Sequence, residues 1–344
     1  MSAAHAHAAF SQAWPAFALV AGLLLIGAVS AQENLFAAAG AMVARAPGGA
    51  FTLLAGLLLV EAAITAVLNL DTAVVFMTPV LLHAARQRGV AEDAFLYGAV
   101  FMANAASLLL PGANLTNLIV LAHEHVSGVT FAAHLAGAWI VSIVLTIVFV
   151  AFVFRRDLAD GGQPHGDEAP SFRPGLGTLG VAAAAVLVLV LSRPALPVLA
   201  LGAAVALGAQ LGAHRSLRAA NPALLLGVLG LAVLLGTIAR AEDVRLLEHA
   251  GRWETAWIAA GASVLVNNLP AAVVLSVHLP THPRALLLGL DLGPNLAVTG
   301  SLSAVLWLQV ARANGARASV VRYTFLGLVL VPVTLAAALL ISSV

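Results

Sequence analysis

The chain alternates long apolar runs with short polar breaks, and the runs are too uniformly apolar for helices that face water on one side. Residues 14–30, 131–154, 176–191, 195–211, 222–239 and 320–341 each read as a membrane span, near the ~20 residues that cross a hydrocarbon layer. Four other runs are interrupted. Residues 50–68 break at Asn69-Leu70-Asp71 and resume over 72–85; residues 253–266 break at Asn267-Asn268-Leu269-Pro270 and resume over 271–279. The returning arms are short for a span, so each pair predicts a re-entrant hairpin tipped by asparagine. Residues 94–110 break at Pro111-Gly112 before 115–122, and residues 284–290 break at Asp291-Leu292-Gly293-Pro294-Asn295 before 296–310. Proline removes a backbone donor and glycine loosens the chain, so neither passage stays helical. In hydrocarbon, a broken backbone survives only where protein covers it or where it lines a wet cavity.

The order of span, surface connector, hairpin, broken helix and span occurs twice. The connectors are 33–45, an amphipathic stretch expected to lie flat on the membrane, and 240–252, which is charged. Ala73-Val74-Val75 matches Ala272-Val273-Val274, Asn104 falls opposite Asp291, and Asn114-Leu115 opposite Ser301-Leu302. If hairpins do not cross, an odd number of crossings separates the two units and the second is inverted. The expected fold is therefore an all-α polytopic membrane protein with inverted-topology repeats, each holding a re-entrant hairpin and a broken transmembrane helix. Residues 1–154 form the first repeat, 155–174 a cytoplasmic loop, 175–221 two extra spans and 222–344 the second repeat. Paired Gly/Pro-interrupted helices in two halves point to a transporter's binding site near the midplane.

Composition agrees: 61% of the 344 residues are hydrophobic and 9% charged, against about 25% charged in soluble domains. A net charge of +1 suggests no nucleic-acid partner. All 16 basic residues are Arg, and the lack of Lys excludes a P-loop. No Gly-x-Ser-x-Gly or His-Glu-x-x-His occurs, and there is no Cys. Neither enzymatic chemistry nor a cofactor or metal is expected. In the proposed topology Arg45, Arg86, Arg88, Arg155, Arg156, Arg173, Arg215, Arg218, Arg312, Arg317 and Arg322 share one side, against five Arg on the other. The first side is then cytoplasmic and both termini lie outside.

Two acids stand in the breaks. A charged Asp at the bilayer centre costs roughly 2.5–3.5 kcal/mol, so it faces a cavity, pairs or exchanges a proton. Asp71 and Asp291 are the candidates for proton coupling, expected near one another across the repeat axis; capping of a broken backbone is the alternative for each. Asn69, Asn104, Ser107, Asn114, Thr116, Asn117, Asn267, Asn268, Asn295, Thr299 and Ser301, with Ser303, supply amides and hydroxyls. Such a ring suits a small hydroxylated uncharged solute, and also a carboxylate or Na⁺. Glu61 is expected to be interfacial or locally paired, and His123-Glu124-His125 to be a solvated loop.

Three passages together resemble the ArsB-type arsenite efflux permeases of the ion transporter superfamily: Asp71-Thr72-Ala73-Val74-Val75-Phe76-Met77-Thr78-Pro79; Asn104-Ala105-Ala106-Ser107 with Asn114-Leu115-Thr116-Asn117; and Asn267-Asn268-Leu269-Pro270 with Asp291-Leu292-Gly293-Pro294-Asn295 and Gly300-Ser301-Leu302. The likeness runs from about residue 14 onward, with two leading helices of the family absent. Many members carry Asp where Asn104 stands and Lys where Asn295 stands. The resemblance implies export of arsenite and antimonite, in exchange for protons, across a prokaryotic cell membrane. It also implies a soluble arsenical pump ATPase as a candidate partner. A Na⁺-coupled carboxylate transporter or Na⁺/H⁺ antiporter of the same superfamily is the alternative, and a non-transporting scaffold a third reading.

Overall fold

The computed structural model describes residues 2–123, 126–159, 172–191, 193–278 and 280–342, and among them the regular elements are all helical. The first half contains α1 (Ala3–Gln32), α2 (Leu35–Ala44), α3 (Ala50–Leu68), α4 (Leu70–Gln87), α5 (Asp93–Ala106), α6 (Leu115–Val120), α7 (Gly128–Val153) and α8 (Arg155–Ala159). Then follow α9 (Leu176–Val190), α10 (Ala195–Gly208), α11 (Ala213–Ala220), α12 (Pro222–Ala241), α13 (Arg252–Val266), α14 (Asn268–Leu275), α15 (Pro283–Leu292), α16 (Leu302–Ala313) and α17 (Val320–Ile341). Five segments among the described residues are long and apolar enough to cross a membrane: Ala3–Gln32, Ala50–Leu68, Gly128–Val153, Ala213–Ala241 and Val320–Ile341. The protein is an all-α polytopic membrane protein.

Each hairpin turns on one asparagine. Asn69 (φ 116°) separates α3 from α4, and its side chain accepts from Thr72 N at 2.7 Å. Asn267 (φ 74°) separates α13 from α14 and accepts from Leu269 N at 3.3 Å. Few L residues adopt positive φ, and asparagine is among those that do. Its side chain also satisfies one of the donors orphaned at the new helix start, which an apolar medium would leave unpaired. These caps set Asn69 opposite Asn267, one residue away from the register read through Ala73-Val74-Val75. The first returning arm is also longer than expected, since α4 has 18 residues, and α3 with 19 is itself long enough to span.

The broken helices share a second device. After a 3-10 turn at Pro111–Ala113, Asn114 (φ −143°, ψ 143°) caps α6; after a 3-10 turn at Val298–Gly300, Ser301 (φ −145°, ψ 156°) caps α16. The extended cap residue ends the 3-10 turn and lends a side-chain oxygen to the next helix, from Asn114 to Thr116 N and from Ser301 to Ala304 N.

Two groups of helices result. In one, α1 packs on α9, α10 and α12. The backbones of α1 and α10 touch, since a Cβ on Gly22 would stand 2.5 Å from the Val198 carbonyl and one on Gly202 would overlap Gly22 O. α9 and α10, which at 15 and 14 residues are shorter than the two spans expected over 175–221, are therefore built into the packing around α1. In the other group, α3–α4, α5–α6, α13–α14 and α15–α16 pack with α7 and α17. Trp307 Nε1 donates to Leu96 O at 2.8 Å, Tyr323 OH to Pro294 O at 3.0 Å, and both rings join Tyr97 and Phe101 in one aromatic cluster. The connectors differ. α2 lies on the first hairpin, with Phe36 stacked on Phe76 at 5.0 Å. Residues 242–251 form no α-helix; there Asp243 pairs with Arg245 and His278, each at 2.9 Å. Within the α1 group, Glu33 accepts from Gly177 N (2.6 Å), Thr178 N (2.9 Å) and Thr178 Oγ1 (2.8 Å), capping α9.

Candidate functional site

The two broken helices cross, and each reaches the start of the other's second segment. Asp291, at the end of α15, accepts from Thr116 Oγ1 at 2.6 Å and from Asn114 Nδ2 at 2.9 Å. Asn104, near the end of α5, accepts from Ser303 Oγ at 3.4 Å, and Ser303 is paired with Ser301 at 2.8 Å. Asn104 Nδ2 donates to Asn295 Oδ1 at 2.8 Å, and Asn295 Nδ2 donates to Phe101 O at 3.2 Å. Ser107 and Asn117 complete the loop. Ser107 Oγ donates to Asn104 O at 2.8 Å, and Asn117 Nδ2 to Ser107 O at 3.0 Å. All of these side chains are buried. Two acceptor atoms in the set have no hydrogen-bond partner among the described residues: Asp291 Oδ2 and Asn117 Oδ1. A buried acceptor left open costs about 1–3 kcal/mol, more if charged, so this network is incomplete as it stands.

Asp71 has different surroundings. It lies in the first turn of α4 and lines a cavity of about 690 Å³ between α1, α4, α11, α12 and α16. The cavity runs along α1 from Val20 to Gln32, and its polar lining includes Arg215, Asn221 and Gln309. Arg215 belongs to the arginine-rich face, so the cavity opens toward the side expected to be cytoplasmic. It separates the α1 group from the hairpin group.

The structure thus divides the expected ring. Asn104, Ser107, Asn114, Thr116, Asn117, Asp291, Asn295 and Ser301 come together in one buried network. Asn69 is buried at the first hairpin tip with its Nδ2 unpartnered among the described residues, and Asn268 is buried at the start of α14. Asn267 and Thr299 stand outside the network. Asn267 Nδ2 donates to Thr299 O at 3.2 Å, Thr299 Oγ1 donates to Val264 O at 3.0 Å, and Thr299 is exposed. Their polar groups are spent on tying the second hairpin to the neighbouring turn.

Asp71 and Asp291 share no hydrogen bond: Asp291 is held in the network, and Asp71 lines the cavity. The cap registers explain why: Asp71 falls opposite Leu269 and Asp291 opposite Asn104, so the two-fold relation never pairs the acids. Glu61 differs from expectation. It is wholly buried on α3, and neither carboxylate oxygen has a hydrogen-bond partner among the described residues. No group of three or more acidic or histidine side chains that could hold a metal occurs among the described residues. Glu124, His125 and residues 160–171 lie outside them.

Gln12 and Arg240 were not legible as interior groups. Arg240 falls on the expected surface connector and Gln12 ahead of the first expected span, yet Arg240 NH2 donates to Gln12 Oε1 at 2.5 Å and Gln12 is buried. An amide two positions from Trp14, the aromatic start of an apolar run, was the available signal.

Known proteins carry the same pattern over most of the chain. It is 26% identical over 337 residues to an arsenical pump membrane protein of Escherichia coli, covering 86% of this chain and 78% of that protein. It is also 26% identical over 366 residues to an uncharacterized transporter of Mycobacterium tuberculosis, covering 94% and 84%. The fold is similar to the crystal structure of the Alcanivorax borkumensis YdaH transporter, with a TM-score of 0.53 at 15% identity over 98% of this chain and 86% of that one. The family model CitMHS, described as citrate transporter, matches residues 2–299, and the chain accordingly belongs to that family of membrane transporters.

Proposed function

We propose that the chain exports arsenite and antimonite, as their neutral trihydroxides, in exchange for protons. In this reading residues 1–154 and 222–344 are inverted repeats, and the hairpins and broken helices move as a unit against the α1 group. The observation that carries it is the chemistry of the buried network. Asp291 is held on one oxygen by Thr116 and Asn114 and left open on the other, among amides and hydroxyls. Of the charged side chains buried among the described residues, Glu61, Asp71 and Asp291 are acids, and the one cation is Arg88. Arg88 gives its donors to the carbonyls of Ala44, Ala46 and Gly48. Arsenic or antimony trihydroxide is a small donor and acceptor that such a set can hold without a counter-ion. The likeness to arsenical pump membrane proteins supports the same cargo. Asp71, at the closed end of the cavity, and Asp291, in the network, are the residues assigned to proton exchange. The setting is the prokaryotic cell membrane with both termini outside, and a soluble arsenical pump ATPase is the candidate partner.

The family description favours a second reading, a Na⁺-coupled carboxylate carrier. A citrate trianion needs cations or exposed helix starts at its site, and three buried acids oppose it. Thermal stabilisation of the purified protein separates the two readings. A ligand at 100 times its Kd adds about 2.7 kcal/mol of stability. Arsenite and antimonite are expected to raise Tm, while citrate with Na⁺ leaves it unchanged; the reverse result overturns the proposal.

A further inference from the structure

The cavity at Asp71 reaches along α1 only as far as Val20, and a second cavity of about 540 Å³ lies at the other end of α1, lined by Gln12, Trp14 and Pro15 with Pro111, Leu118 and Leu121; a polar cluster at Gln12 joins the two groups there. Gln12 Nε2 donates to Ser276 Oγ at 2.8 Å and lies 3.3 Å from Ile119 O and 3.4 Å from Ser276 O. Its Oε1 accepts from Arg240, whose other guanidinium nitrogen donates to Gly236 O at 3.0 Å. One amide therefore joins α1 and α12, on one side of the interface, to α6 and the end of α14, on the other. These are the same two groups of helices that the cavity separates at its far end.

Gln12 and Gln32 are twenty positions apart on α1, which at 1.5 Å per residue is about 30 Å, the thickness of the hydrocarbon layer. The cavity runs up from Gln32 and stops at Val20, about 12 Å short of Gln12. Between them, Ala13, Ala16 and Phe17 are buried in one apolar cluster with Leu115 and Ile119. Gln12, Ser276 and Ile119 are buried and Arg240 is half-buried, and both Nε2 and Oε1 of Gln12 are hydrogen-bonded. A buried amide that loses its partners is costly, so the cluster favours one arrangement of the two groups.

We infer that Gln12 is an access-determining residue: with Arg240, Ser276 and Ile119 it latches the two groups together between the outer cavity and the Asp71 cavity while the latter is open to the cytoplasm. This inference rests on the alternating-access reading above, but not on the identity of the cargo. Outward opening requires the hairpin group to slide on α1, which breaks the Gln12 contacts to Ser276 and Ile119 together and leaves Gln12 with Arg240 on its own side.

The absence of native cysteine makes the test direct. Ala16→Cys, one turn below Gln12 and buried, serves as the reporter. Its rate of reaction with a membrane-impermeant maleimide is measured from each face of sealed vesicles, without cargo. Adding Gln12→Leu is expected to raise the rate from the outer face at least tenfold, and the milder Ser276→Ala about threefold, with no change from the cytoplasmic face. Unchanged outer rates in both variants overturn the latch. So does an equal rise from both faces, which marks loosened packing rather than an opened route. Sided reactivity without arsenite transport would leave the latch standing and sink the cargo assignment; arsenite transport with unchanged sidedness would do the opposite.

Discussion

Thr116 Oγ1 donates to Asp291 Oδ1 across 2.6 Å, joining the second segment of one broken helix to the first segment of the other. Its counterpart across the repeat is the weaker bond from Ser303 to Asn104 at 3.4 Å. The pair is reciprocal in position but not in charge, because only Asp291 is an acid. A hydrogen bond to a charged group contributes about 1.5–3 kcal/mol. Thr116→Val is therefore expected to weaken arsenite binding by roughly ten- to a hundredfold, since ~1.4 kcal/mol is a factor of ten. Ser303→Ala should weaken it less than tenfold. Titration of arsenite-dependent stabilisation in the two variants checks the order.

Asp71 predicts a different failure. It touches the access cavity rather than the network, so Asp71→Asn should uncouple rather than unbind. Counterflow of labelled arsenite between equal pools is expected to stay within about threefold of the parent, under the ~0.7 kcal/mol of a minor contact. Accumulation driven by a pH gradient should vanish. Loss of counterflow would instead make Asp71 a cargo ligand.

Glu33 is a structural acid whose pH response can be read without transport. Burial would raise its carboxyl, but the N–H groups of Gly177 and Thr178 and the Thr178 hydroxyl outweigh this and hold it below the usual carboxylate range. A lowered folded-state pKa gives stability that is present above the unfolded value and lost as pH falls through the folded one. Helix caps contribute about 0.5–2 kcal/mol. Glu33→Gln should lower Tm at pH 7, and the difference from the parent should shrink below about pH 4, the unfolded carboxylate range. A difference independent of pH would contradict the assignment.

The contact of α1 with α10 is a backbone contact and tolerates no side chain. Gly202→Leu has its Cβ inside the space of Gly22 O, with no flexible neighbour to move. Overpacking costs about 1–3 kcal/mol and more where backbone must shift. The variant is expected to lose the folded protein in detergent, whereas Gly227→Leu, at a position with open space around its Cβ, should purify as the parent does. Size-exclusion profiles of the two decide it.

Much of this molecule was legible because hydrocarbon enforces its rules strictly. The Asn-tipped hairpins and the Pro/Gly breaks stand out in an apolar sequence, since each must satisfy its backbone locally, and Asn69, Asn114, Asn267 and Ser301 do so with their own side chains. What could not be read was direction. Sequence places Asp71 and Asp291 in paired breaks, but the caps set Asp71 opposite Leu269 and Asp291 opposite Asn104, and one acid lines the cavity while the other joins the network. Gln12 and Arg240 were hidden for a related reason: polar residues at a span's end look solvated until the fold shows what they face. Thr299 misled in the opposite sense, its hydroxyl being taken by Val264 O.

The central claim is that proton movement through Asp291 drives export of a neutral trihydroxide. Everted membrane vesicles with an acid interior test it most directly. Parent protein is expected to accumulate arsenite at least tenfold over vesicles without a gradient, and Asp291→Asn to bring accumulation down to that baseline. Gradient-driven accumulation that survives in Asp291→Asn at the parental level would contradict the account.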